Sequence, residues 1–74
     1  MKKHSVILHG HPTSVSLEPE FWDHLKRVAA ERQVSLQSLI EKVDEDQPTN
    51  LSSALRLLIL ADMEQQVEKL KHAN

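Results

Sequence analysis

The chain has 74 residues, about half the length of an ordinary domain, so it holds one small domain and excludes a two-domain enzyme. About 39% of its residues are apolar, but Phe21 and Trp22 are the only Phe, Trp or Tyr residues, and with no cysteine neither a disulfide nor a thiolate metal site can staple the core. The formal charge of −2 is uneven: residues 1–37 carry +1 and four of the five histidines, residues 38–74 carry −3, so contact with nucleic acid must be local rather than driven by global charge.

A core this small is expected to need a partner chain. The longest apolar run, Leu57 to Ala61, falls far short of the roughly 20 residues of a membrane span. Met1-Lys2-Lys3 leads into too short an apolar stretch for a signal peptide, so a cytoplasmic protein with no membrane partner is expected.

In chain order, residues 5–17 read as extended. Thr13-Ser14-Val15-Ser16-Leu17 alternates, with Thr13, Val15 and Leu17 on one face and Ser14 and Ser16 on the other, which predicts one firm strand near 13–17. Gly10 and Pro12 both disturb a ladder, so residues 1–11 are taken as an arm that either extends the strand or bulges from it. At Glu18-Pro19-Glu20 the period changes to 3.6, and Phe21, Trp22, Leu25, Val28 and Ala29 form the stripe of a first helix ending near Arg32 or Gln33. Ser35 is a good N-cap for a second helix with Leu36, Leu39, Ile40 and Val43 on one face.

Asp44 to Asn50 is polar and holds Pro48, which predicts a loop. Thr49 or Asn50 then caps a third helix over 49–72, whose apolar residues from Leu51 to Ala61 cover more than one face and predict burial on several sides. The chain is thus a single domain over 1–74, with an arm at 1–11, a core at 12–44 and the third helix behind it. It reads as mostly α with one short strand per chain. A lone strand leaves its N–H and C=O groups unpaired, so it must find a second chain, and a two-fold antiparallel ribbon in a homodimer satisfies it.

The order of Thr13-Ser14-Val15-Ser16-Leu17, a turn into the first helix, a short link and Ser35-Leu36-Gln37-Ser38-Leu39-Ile40 resembles the ribbon-helix-helix fold of the Arc, MetJ and CopG repressors over about residues 12–44. His11, Glu18, Phe21-Trp22 and Asn50-Leu51-Ser52-Ser53-Ala54-Leu55-Arg56-Leu57 extend the likeness to a bacterial subgroup of such domains. The resemblance implies an intertwined homodimer with an additional C-terminal helix, acting on double-stranded DNA as a transcriptional regulator. A two-stranded ribbon fits the major groove, and a helix N-terminus holds a phosphate.

By matched position, Pro12, Ser14 and Ser16 would face the bases, and Ser35 with the amides of Leu36 and Gln37 would meet phosphate, joined by Lys2 and Lys3 of the arm. Val15, Leu17, Trp22, Leu25, Leu39 and Ile40 would form the dimer core. Members of the subgroup tend to carry arginine where this chain has Pro12.

Other chemistries find less support. His9-Gly10-His11, with His4 and His24, offers imidazoles in neither a CxxC nor an HExxH arrangement, so no metal is expected. A nucleophile elbow, a phosphate-cradling loop and paired inward carboxylates are all lacking, which predicts no enzyme and no cofactor. The alternative to a DNA-binding regulator is an adaptor or antitoxin-like dimer that binds a protein through the apolar third helix and the acidic loop.

Overall fold

A computed structural model describes residues 1–46 and 50–71. Two strands, β1 (Lys2–Leu8) and β2 (His11–Leu17), are followed by three helices, α1 (Pro19–Glu31), α2 (Leu36–Asp46) and α3 (Leu51–Lys71). The additional C-terminal helix is present, and the ribbon precedes the helices as expected.

The number of strands differs from the reading of one per chain. β1 pairs antiparallel with β2 from Lys2↔Leu17 to Leu8↔His11, so the expected arm is the second strand of a hairpin. The two residues that argued against a ladder are what close it. His9 (φ 51°) and Gly10 (φ 82°) both take the left-handed conformation that a two-residue hairpin turn demands. Glycine enters it freely, and histidine is among the residues that tolerate it. Because the pair flanking such a turn is hydrogen-bonded and bonding alternates outward, the nitrogen of Pro12 faces away from β1 and its missing N–H costs the hairpin nothing.

Pro19 starts α1 behind the extended Glu18, whose carbonyl accepts from Trp22 N–H at 3.0 Å. The helix stops where Gln33 adopts φ 58°: Gln33 N–H donates to Ala30 O (3.1 Å) and Val34 N–H to Ala29 O (3.0 Å), a pair of bonds that closes the C-terminus. Ser35 caps α2, its Oγ accepting from Ser38 N–H at 3.0 Å. That helix runs to Asp46, past the loop start expected at Asp44, because Val43 still packs on the core and the His9 ring lies 3.5 Å from a Glu41 oxygen and 3.8 Å from one of Asp44. Asn50 caps α3 through Oδ1, which accepts from Ser53 N–H at 3.1 Å; the other candidate cap, Thr49, lies outside the described residues.

One face of the hairpin (Leu8, Val15, Leu17) closes on Leu25, Val28 and Ala29 of α1, Leu39 and Ile40 of α2, and Leu55 and Ile59 of α3. Five of the six residues expected in a dimer core are therefore buried within one chain, and Trp22 is half-buried at its margin. α3 departs from the expected burial on several sides. Only the face bearing Ala54, Leu55 and Ile59, flanked by half-buried Leu51 and Leu58, meets the core, while Leu57 and Leu60 are 58% and 53% exposed. The reason is geometric: α3 lies on the outside of a fold measuring 46 × 24 × 20 Å, and among the described residues no further layer covers it.

Candidate nucleic-acid interface

Directly opposed residues of an antiparallel pair share a face. Since Leu17 and Val15 point into the core, the outward face carries Lys3, Ser5 and Ile7 from β1 against Ser16, Ser14 and Pro12 from β2. All are exposed except half-buried Ser16. Pro12, Ser14 and Ser16 thus lie in one row on the ribbon's solvent side. Lys2 and Lys3 separate: Lys3 stands opposite Ser16 on the outward face, while Lys2 stands opposite Leu17 at the mouth of the core.

The N-terminus of α2 lies beside the middle of this ribbon, while the turn residue His9 reaches Glu41 and Asp44 further along the same helix. A groove of about 500 Å³ lies between the ribbon (Ser5, Val6, Ile7, Pro12 and Thr13) and α2 (Leu36, Gln37 and Ile40), with Trp22 also in its lining. Ser35 Oγ both accepts the Ser38 amide and donates to Ser38 Oγ at 2.8 Å, so the side chain is committed to the cap. The Leu36 and Gln37 amides belong to the first helical turn, which has no intrahelical acceptors, and carry the partial positive charge of the helix end. The Gln37 side chain donates to Glu41 Oε1 at 2.9 Å. What the arrangement offers is a neutral hydroxyl row with one lysine at one end and two helix-end amides alongside.

Several polar contacts were not legible beforehand. The His4 ring stacks on Trp22 with centroids 3.7 Å apart and planes 7° from parallel, so Trp22 is covered rather than offered as a stacking platform. His24 is buried on α1; its Nδ1 lies 3.1 Å from an Arg27 guanidinium nitrogen and its Nε2 2.9 Å from Asp62 Oδ2. His24 thus bridges Arg27 on its own helix and Asp62 on α3 through its two ring nitrogens. Arg56 of α3 reaches back to Glu18 (Nε to Oε1 3.0 Å) and lies over the Phe21 ring at 5.9 Å. Hydrogen bonding from Arg56, then from backbone, holds the Glu18 carboxyl below the usual carboxylate range. These pairs span 38 residues, His24 to Asp62 and Glu18 to Arg56, a separation at which helical periodicity carries no information.

Among the described residues no group of three or more His, Cys, Asp or Glu is placed to hold a metal ion, and no helix is long and apolar enough to cross a membrane. No curated protein and no solved structure matches the chain. A protein family does match, over residues 1–63, the span from the first strand through the first three turns of α3. Domains of that family are in general DNA-binding proteins, typically dimeric and without enzymatic activity. With a hairpin ribbon, two short helices behind it and a family match covering most of its length, the chain belongs to the ribbon-helix-helix domain family.

Proposed function

We propose that the protein is a DNA-binding transcriptional regulator that lays the outward face of its β1–β2 ribbon in the major groove. The observation that carries the reading is the division of the ribbon into a core face and a polar row of Lys3, Ser5, Ser14 and Ser16, with the open N-terminus of α2 at one side. A two-stranded ribbon has the width of the major groove, and the amides of Leu36 and Gln37 suit a phosphate. Pro12 brings neither charge nor donor, and serine hydroxyls discriminate poorly between bases, so binding rests on phosphate contacts by Lys3 and the N-terminus of α2 and falls steeply with salt.

Fluorescence anisotropy on random and selected duplexes across a salt series tests this. Pro12→Arg should tighten binding, an Arg contact to guanine being worth about 1–3 kcal/mol. Ser14→Glu should weaken it by placing a carboxylate against the duplex. If neither substitution changes affinity, the ribbon is not the reading surface. The adaptor reading would then gain, and the exposed apolar face of α3 is the observation that favours it.

A further inference from the structure

Glu18 meets Arg56 and His24 meets Asp62, so a step along α1 is matched by an equal step along α3 and the two helices point the same way. Between them lies a groove of about 770 Å³, walled by Phe21 of α1 and by Leu57, Leu60 and Met63 of α3. Those three α3 residues are 58%, 53% and 44% exposed, so the wall stands open to solvent. Pockets for small organic ligands span roughly 300–1,000 Å³ and share this make-up, apolar walls with a few polar groups at fixed places.

The polar lining consists of Glu20, Ser53 and Arg56, which come from the first two turns of their helices and so gather at one end, while Leu60 and Met63 lie further along. Arg56 is committed: its Nε donates to Glu18 Oε1 at 3.0 Å, and a terminal guanidinium nitrogen donates to Oε2 at 3.3 Å. Glu20 is exposed and has no hydrogen-bond or ion-pair partner among the described residues. The uncommitted side-chain charge of the groove is therefore negative, next in sequence to an aromatic ring that already holds a guanidinium at 5.9 Å. We propose that the groove binds an amphiphilic organic cation, its ammonium head paired with Glu20 and its aryl or alkyl body laid along Phe21, Leu57, Leu60 and Met63. Burial of the body supplies the affinity, and the exposed ion pair supplies selectivity by a small factor. A carboxylate head would instead meet Glu20 as a like charge. None of the lining residues belongs to β1 or β2, so the site stands apart from the ribbon and does not depend on the DNA reading.

Titration of the isotope-labelled full chain with phenylbutylamine, phenylbutanol and phenylbutyrate tests this, since the three probes share one body and differ in the charge of the head. The amine should shift the amides of Phe21, Ser53, Leu57, Leu60 and Met63. It should bind about threefold tighter than the alcohol and about tenfold tighter than the acid, and its advantage over the alcohol should vanish at high salt. Glu20→Gln should reduce the affinity for the amine to that for the alcohol and leave the alcohol unaffected, a split that a purely structural role for Glu20 would not produce. Leu60→Ser should weaken all three probes, and Ser14→Glu none. The proposal is overturned if tens of millimolar amine leave the groove amides unmoved, if the alcohol binds as tightly as the amine, or if Glu20→Gln keeps the preference for the amine. It is equally overturned if intermolecular Overhauser contacts to Leu60 and Met63 in the free protein show the groove already filled by another chain.

Discussion

Gln33 closes the first helix at φ 58°, a conformation that costs a residue with a Cβ about 1–2 kcal/mol and that glycine enters freely. Gln33→Gly should therefore stabilise the protein by about 0.5–1 kcal/mol in urea unfolding, the larger entropy of glycine in the unfolded chain offsetting part of the gain. Gly10 is the converse: nothing lies within 4 Å of an added Cβ, but φ is 82°, so Gly10→Ala should cost about 1 kcal/mol through backbone strain alone. Glu18 gives a pH signature. Its carboxyl is held below the usual range chiefly by Arg56, so the contact stabilises the fold above that range and is lost as pH falls through the depressed value. Arg56→Gln should move the Glu18 titration up toward the ordinary carboxylate range, observable by carbon-detected nuclear magnetic resonance.

Elements differ in how plainly they announce themselves. α1 and α2 were legible because stripe, cap and stop coincide: Pro19 opens one, Ser35 the other, and the intervening link is too short to wander. The hairpin was not. Gly10 and Pro12 were read as breakers of a strand, whereas His9-Gly10 is the turn and the Pro12 nitrogen faces the free edge; which of the two holds depends on register, and register is set by the pairing of β1 with β2 rather than by either alone.

α3 was legible as a helix but not in its burial, since an apolar count cannot say whether the second apolar face finds a partner within the chain. The buried face makes a prediction of its own. Leu55 and Ile59 are fully buried, so Leu55→Ala should cost about 2–5 kcal/mol, and removal of residues 50–74 should leave the remaining chain without a cooperative melt. A truncated chain melting like the intact one would show that α3 is an appendage.

At the scale of the molecule, pairing β1 with β2 removes the reason that made a second chain necessary for the ribbon. The outer edge of β2 is also poorly furnished for another strand: Pro12 has no N–H, and the carbonyl of Ser16 accepts the Ser52 hydroxyl of α3 at 3.0 Å. A mixture of isotope-labelled and unlabelled chains should accordingly give the His4–Val15 cross-strand contact within labelled chains only; an intermolecular contact between those residues would mean that the strands are exchanged between copies. The site residues were legible as a row because strand alternation alone puts Ser14 and Ser16 on one face. That Lys3 joins them and Lys2 does not required the register.

The most direct test of the ribbon as the DNA-reading surface is amide chemical-shift mapping of the full chain titrated with a selected duplex. The account predicts that the largest changes cluster at Lys3, Ser5, Ile7, Ser14 and Ser16, together with Leu36 and Gln37, and leave Met63 to Lys71 nearly unmoved. Changes concentrated on α3, with the ribbon amides unperturbed at saturation, would contradict it.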